Sequence, residues 1–562
     1  MIAFLKKRSF LIGIVLTILL LTASAFFFIM KKGILFGDDR NFNLNRLVGI
    51  AEGFKAGQFP IKYYNHMYSG HAYFNPIFYG DLFLYPFALL LLIPKVTPPL
   101  TYSLLLFSIA IAILIAGYFL FKKITKDKFL SLICANLLLL SQYTFTDIFY
   151  RGAVGESLGV LFFIILFNGI YNMLYEDYSK PYLLSIAFLG MLFSHTTSLV
   201  FGIVTILIVI LINAKKLKDK KFWIKSIFAF SIFIVIGLYF IASCLEMYFS
   251  DKYLNSTQWA WPNNHKLSIL EILGKSPYGL GFICLFPFIL RPFIKKNAEN
   301  ANELKLLNFL LIVCGALIFI ISNLFPWHIT FVSKALSFMQ FPWRLNSINC
   351  IIIVLCISLE LKLLKNYCKL PISLKGLKII LSISCAVIFA LFTITNNLNL
   401  YKQRKQDATY YSANSFWLFE LMPIKIVNAD VDDTSLYDDK KNKVDYDREK
   451  YVSTITFDAD NTSSCYEIPL IYYKGYSATI IENGKTKSLK VMQADNGKVK
   501  VVTNGKTGKV KVWYSGTTIQ NLTFPISVIG AVGFASFGIY IFVKKKKQKM
   551  QSTTEIIENE NA

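Results

Sequence analysis

Uninterrupted apolar stretches of membrane-crossing length recur along most of this chain, and few folds tolerate them. A bilayer core needs about 20 consecutive apolar residues per helix. Twelve segments approach that requirement: 9–30, 101–121, 129–145, 153–175, 182–193, 198–212, 222–245, 277–290, 306–324, 345–361, 377–395 and 524–543. The chain is 55% hydrophobic and 16% aromatic, which a soluble domain rarely reaches. The expectation is a mainly α polytopic membrane protein of about twelve spanning helices.

The formal charge of +25 would point a soluble protein toward nucleic acid. Here the cations cluster between apolar runs, at Lys215, Lys216, Lys218, Lys220 and Lys221, and again at 544–547. That is the signature of loops held on the cytoplasmic side, so the expected partner is the bilayer and not nucleic acid. Lys6, Lys7 and Arg8 before the first run, with Lys31 and Lys32 after it, predict an uncleaved first helix with a cytoplasmic start. The apolar stretch 77–93 is ambiguous. If it spans, every later basic cluster falls outside; if it lies in the interface, all fall inside, and we read it as interfacial. Both termini are then cytoplasmic. Residues 31–100 form a first extracytoplasmic loop, residues 1–395 the transmembrane domain, and 523–543 the last helix, with a disordered cytoplasmic tail over 544–562.

Residues 396–522 change character, becoming polar with short alternating runs. Residues 451–457, 488–493, 498–503 and 508–514 read as strands, the last two joined at Asn504-Gly505 as a hairpin. A small β-rich extracytoplasmic domain is expected. Eight of the nine cysteines lie in or beside apolar segments, without metal-type spacing.

Charged residues at the outer ends of the apolar runs are candidates for chemistry. Asp38 and Asp39 precede a helical pattern through Leu44, Leu47, Ile50 and Phe54, with Asn43 as its expected cap. Arg151 and Glu156, in YRGAVGES, stand at a helix start, where an ionisable pair is costly unless it is a salt bridge or functional. His195 in SHTTS is either a phosphate or proton-transfer group or a structural helix end. Arg344 with Trp343, in QFPWR, suits a phosphate clamp or an ordinary interfacial belt. No P-loop, GxGxxG after a strand, HExxH or GxSxG is present, so an activated group would arrive already on a substrate.

GDDRNFNLNR with EGFKAGQFP, then GHAYFNPIFYG, RGAVGE, SHTTS, FPWR, YYKGYSA and VWYSGT form an ordered series over most of the chain. The series resembles the GT-C superfamily of membrane glycosyltransferases, in particular the bacterial YfhO-like branch, also labelled 6-pyruvoyl-tetrahydropterin synthase-related. That branch usually carries His where this chain has Asn43. The resemblance implies a GT-C-like fold and sugar transfer from a polyprenyl-phosphate donor to a cell-envelope acceptor (glycan, teichoic acid or lipid) on the extracytoplasmic face. It would make Asp38 the base, with Asp39 second. Glu156 would orient Arg151, and Arg46, Arg151, His195, Trp343 and Arg344 would bind substrate. Metal use is left open; Mg or Mn, if used, would fall to Asp38, Asp39 and Glu156. The competing classes are a flippase or transporter of a lipid-linked sugar and a non-catalytic envelope scaffold.

Overall fold

The computed structural model describes residues 39–254, 261–367, 421–428 and 430–561. The expected spans 9–30 and 377–395, and Asp38, lie outside the described residues. Six helices in the described part are long and apolar enough to cross a membrane. They are α2 (Pro98–Thr125), α5 (Val154–Tyr175), α8 (Lys220–Ser250), α9 (Ala301–Ile321), α10 (Asn346–Tyr367, entered through the turn Pro342–Leu345) and α11 (Thr518–Asn561). A seventh span counts if α3 (Lys128–Leu139) and the segment Gln142–Arg151, with α4 at Gln142–Phe145, are taken together across their 58° bend. Three further expected spans are shorter apolar helices: α6 (Tyr182–Leu192), α7 (Thr196–Ile212) and the run Phe282–Phe293. The described residues therefore show six or seven full spans where the sequence suggested about twelve. Helix α11 continues to Asn561, through the tail expected to be disordered.

Capping sets several boundaries. Thr97 Oγ1 accepts from Leu100 N (3.4 Å) ahead of Pro98, and α2 stops where Lys126 turns left-handed at φ 54°. Asp127 then accepts from Phe129 and Leu130 N (2.8 and 3.0 Å) to start α3. With 28 residues, α2 is about 42 Å long, enough to carry its ends to opposite faces of a bilayer.

The ambiguous stretch 77–93 breaks into Asn75–Phe78, Leu82–Leu84 and Tyr85–Leu90, none long enough to cross. The first described helix, α1 (Arg40–Lys55), has the expected apolar pattern, and it buries the polar Arg40, Asn43, Asn45 and Arg46 as well as Leu44, Leu47, Ile50 and Ala51. Asn43 lies one turn inside it rather than capping it.

The β-rich domain is a nine-stranded antiparallel sheet in the order β2-β1-β5-β8-β7-β6-β9-β4-β3. Its strands are β1 (Leu436–Asp438), β2 (Lys443–Val444), β3 (Tyr446–Arg448), β4 (Ile455–Ala459), β5 (Cys465–Ile471), β6 (Tyr476–Glu482), β7 (Lys485–Gln493), β8 (Lys498–Val502) and β9 (Gly508–Tyr514). The first half of β7 pairs with β6 and the second half with β8. Phe457 on β4 and Tyr466 on β5 meet at 4.8 Å, although four strands separate β4 and β5 in the order, so the sheet folds over into two layers. The expected β8–β9 hairpin is corrected by this: both strands exist, but β7 and β6 stand between them. Asn504 and Gly505 do turn with positive φ (52° and 70°), and the chain then crosses to the other layer.

The domain is clasped to the first loop by rings. Tyr473 stacks on Phe74 (4.3 Å) and Tyr253 (6.0 Å), and Tyr514 meets Phe74 at 4.5 Å. Ile471 N donates to His71 O (2.9 Å), and Arg448 Nη2 donates to Asn65 Oδ1 (2.7 Å) and Gly70 O. At the end of α8, Lys474 pairs with Glu246 (3.0 Å). The motifs GHAYFNPIFYG, YYKGYSA and VWYSGT thus meet in one interface.

His71 makes that interface acid-sensitive. Its Nδ1 donates to Tyr68 O (2.8 Å), and burial, with Lys498 nearby, pushes the imidazole down to about 4. The unfolded chain binds the proton near pH 6.5 and the folded chain does not. His71 therefore contributes stability that is complete above about pH 6.5 and is lost as pH falls toward about 4, at no more than about 1.4 kcal/mol per unit. Thermal melts across that window should fall more steeply for wild type than for His71→Phe; parallel curves would refute the assignment.

Candidate active site

The site forms where α4, α5, α1 and α10 meet, on the same end of the bundle as the β domain. After α4 the helix widens into a π-turn, Thr146–Arg151, which ends at Gly152 in the left-handed region (φ 66°). A side chain on Gly152 would collide with Tyr102 Oη (2.2 Å) and Arg40 Cγ (2.7 Å). That space is needed because the Gly152 carbonyl accepts from Tyr102 Oη (2.6 Å) and Asn43 Nδ2 (3.0 Å). Helix α5 starts two residues later, and Gly155 leaves room for the Tyr79 hydroxyl, which a Cβ there would meet at 2.0 Å.

Arg151 is the hub. Its Nη1 donates to Asp147 Oδ1 (2.7 Å) and Glu156 Oε2 (2.8 Å), and its Nη2 to Asp39 Oδ2 (3.2 Å). The other Glu156 oxygen accepts from Tyr143 Oη. Arg344 Nε lies 3.8 Å from Glu156 Oε2 and has no hydrogen-bond partner among the described residues. Three carboxylates and two guanidiniums therefore share one volume. Asp147, Glu156 and Arg151 are buried, whereas the Asp39 carboxylate is 39% exposed. Asp39 is the acid of this group that an incoming molecule reaches.

Aromatic rings form one wall. Trp343 stacks between Tyr278 (4.6 Å) and Phe341 (4.9 Å), with Arg151 over the Trp343 ring (4.7 Å) and Arg344 over Phe341 (4.9 Å). His265 closes edge-on against Phe341 (4.6 Å). Trp343 is buried in this stack, so it shapes and backs the arginines instead of offering an open face to a sugar.

His195 lies between α6 and α7, buried, with Nδ1 2.8 Å from Ser198 Oγ. Burial, then the neighbouring Arg344 charge, push it down to about 3, so it is neutral at physiological pH. Tyr79 faces it edge-on at 6.3 Å, and burial pushes the Tyr79 phenol up to about 12. Arg46 stands apart from what a substrate-binding role would need. It is buried, bonded to Asp81 (2.5 and 2.9 Å), Gly80 O (2.8 Å) and Asn43 Oδ1 (2.9 Å), with its guanidinium over the Tyr79 ring (4.6 Å). Burial opposes its charge, but Asp81 and Tyr64 outweigh burial and hold it above its ordinary range. Arg46 braces the site from behind.

Among the described residues no group of three or more His, Cys, Asp and Glu side chains is arranged to hold a metal ion. Asp39 and Glu156, expected to join Asp38 around any Mg or Mn, each turn an oxygen onto Arg151 instead. Asp38, the third acid of that set, lies outside the described residues.

The structure thus gathers Asp39, Arg151, Glu156, His195 and Arg344, with Trp343 behind them. It adds Asp147, Tyr143 and Tyr79, which sequence reasoning missed. Asp147 was legible in principle, as an acid four residues before Arg151 in an apolar run.

No family model matches the chain. An uncharacterized protein of Lactococcus lactis subsp. cremoris (strain MG1363) is 29% identical over 349 residues, 57% of this chain and 55% of that protein. Among solved structures, the arabinofuranosyltransferase AftD from Mycobacteria aligns over 70% of this chain and 27% of its own, at 13% identity and a TM-score of 0.43. The chain thus spans about half the length of the curated relative and about a quarter of the solved one.

Proposed function

We propose that this chain is an integral membrane glycosyltransferase. It would move a sugar from a polyprenyl-phosphate donor to a hydroxyl of a cell-envelope acceptor, on the face that carries the β domain. The observation carrying this reading is the pairing of one reachable carboxylate, Asp39, with two guanidiniums, Arg151 and Arg344. The GT-C assignment, and the YfhO-like branch within it, rests on the motif series. Both termini would be cytoplasmic, by the distribution of basic loops.

In the reaction, the acceptor oxygen attacks the anomeric carbon as the carbon–oxygen bond to the lipid phosphate breaks. The acceptor proton passes to an aspartate, Asp39 or its neighbour Asp38, and the bonding pair leaves on the phosphate. Charge grows on that phosphate through an oxocarbenium-like transition state, so positive charge is needed there more than a strong acid. Arg344, with its Nη1 held by Met339 O and Gln340 Oε1 and its buried Nε 3.8 Å from Glu156, supplies it through the charge of its guanidinium, with Arg151 fixed behind by Asp147 and Glu156. Neutral His195 and the Tyr79 phenol add donors that do not titrate at physiological pH.

The test gives purified protein a radiolabelled polyprenyl-phosphate sugar and envelope acceptors, with Arg344→Gln alongside. Losing a hydrogen bond to a charged group costs about 1.5–3 kcal/mol, so transfer should drop about 10- to 100-fold. Transfer undiminished in Arg344→Gln would remove Arg344 from the mechanism. Label crossing the bilayer without changing its carrier would mark a flippase.

A further inference from the structure

The opposite end of the bundle carries a second feature, independent of the proposed reaction. Where α2 ends, a groove of about 430 Å³ opens between α2, α5 and the start of α6. It is lined by Phe119, Lys122, Lys123, Lys126, Asn168, Lys180, Tyr182 and Leu183, four lysines and no carboxylate. Glu176 offsets part of that charge by pairing with Lys123 (2.9 Å). Rings hold the lysines in place: Lys122 lies over Tyr118 (5.7 Å), and Lys123 and Lys126 over Tyr171 (5.3 and 6.0 Å). A helix C-terminus alone repels anions, so any attraction here comes from side chains. The groove is amphipathic, because exposed Phe119 and half-buried Leu183 belong to the same lining as the cations.

We propose that this groove binds the headgroup of an anionic phospholipid, its phosphate among Lys122, Lys126 and Lys180 and its acyl chain along Phe119 and Leu183. Cations at a membrane surface attract acidic lipid, each contributing about 1 kcal/mol, and basic pockets between spanning helices select headgroups. A soluble phosphate would satisfy the lysines but would leave the apolar lining uncovered.

Native mass spectrometry of the full-length protein tests this with phosphatidylglycerol and phosphatidylcholine of identical chains. Wild type should retain phosphatidylglycerol about tenfold better, and the triple variant Lys122→Gln, Lys126→Gln, Lys180→Gln should lose that preference. A control removing the same charge from the β domain, Lys485→Gln, Lys490→Gln, Lys509→Gln, should keep it. All three groove positions lie at the surface or partly exposed, and melting temperature reports whether the variants fold. Equal retention of the two lipids by wild type, an unchanged triple variant, or an equal loss in the control would each overturn the proposal. Displacement of the lipid by inorganic phosphate as readily as by phosphatidylglycerol would also overturn it, in favour of a soluble-anion site.

Discussion

Asp39→Asn is expected to lower sugar transfer about 10²- to 10⁴-fold, the range that a positioned general base contributes, with the fold intact. Asparagine has the shape of aspartate and its amide oxygen can still accept from Arg151 Nη2, now 3.2 Å away. The carboxylate is partly exposed, so no large desolvation term changes. What disappears is the ability to take a proton. Transfer assays on Asp38→Asn and Asp39→Asn, side by side, decide between the neighbours. Loss confined to Asp38→Asn moves the base one residue back, and wild-type rates in both variants end the base assignment.

Arg151→Met is expected to destabilise the protein by about 3–5 kcal/mol, the usual cost of breaking a buried ion pair from one side. The guanidinium serves two buried carboxylates, Asp147 and Glu156, and the half-buried Asp39. Its loss leaves them facing one another in a low-dielectric interior, and typical folds have only about 5–15 kcal/mol in reserve. Thermal unfolding in detergent should show a markedly lower midpoint, and adding Asp147→Asn and Glu156→Gln should recover part of it. A midpoint equal to wild type would show that the cluster is not held by Arg151.

Why the sequence revealed some of this and not the rest follows from range. Helix α5 was readable to within a residue because its apolar run needs no partner to be recognised. Arg151, Glu156, His195 and Arg344 were found because polar residues at the ends of such runs stand out. Asn43 misled, since Asn before an apolar pattern ordinarily caps a helix. Here a tertiary demand prevails: its amide bridges the Gly152 carbonyl to Arg46, so the helix starts a turn earlier. The β8 and β9 strands and their turn were legible from alternation and Asn504-Gly505. Their partners were not, because local pattern is silent about which layer a strand joins. The aromatic motifs were visible as strings, yet their shared purpose, docking the β domain on the first loop, appears only when Phe74, Tyr473 and Tyr514 are brought together. Asp39 and Arg344 were expected on one face with Arg151, and the fold adds the contacts: Arg151 to Asp39 at 3.2 Å, and Arg344 Nε 3.8 Å from Glu156.

The clasp between the β domain and the first loop also sets an order of events during synthesis. Asn65 and Arg448, hydrogen-bonded partners across it, are 383 residues apart. At about 5–20 residues per second, the first loop waits roughly 20–75 s for its partner. During that interval Phe74, buried in the finished protein, has no Tyr473 or Tyr514 to cover it. The first loop is therefore inserted long before its cover exists, and the clasp closes only after Tyr473 and Tyr514 have been made.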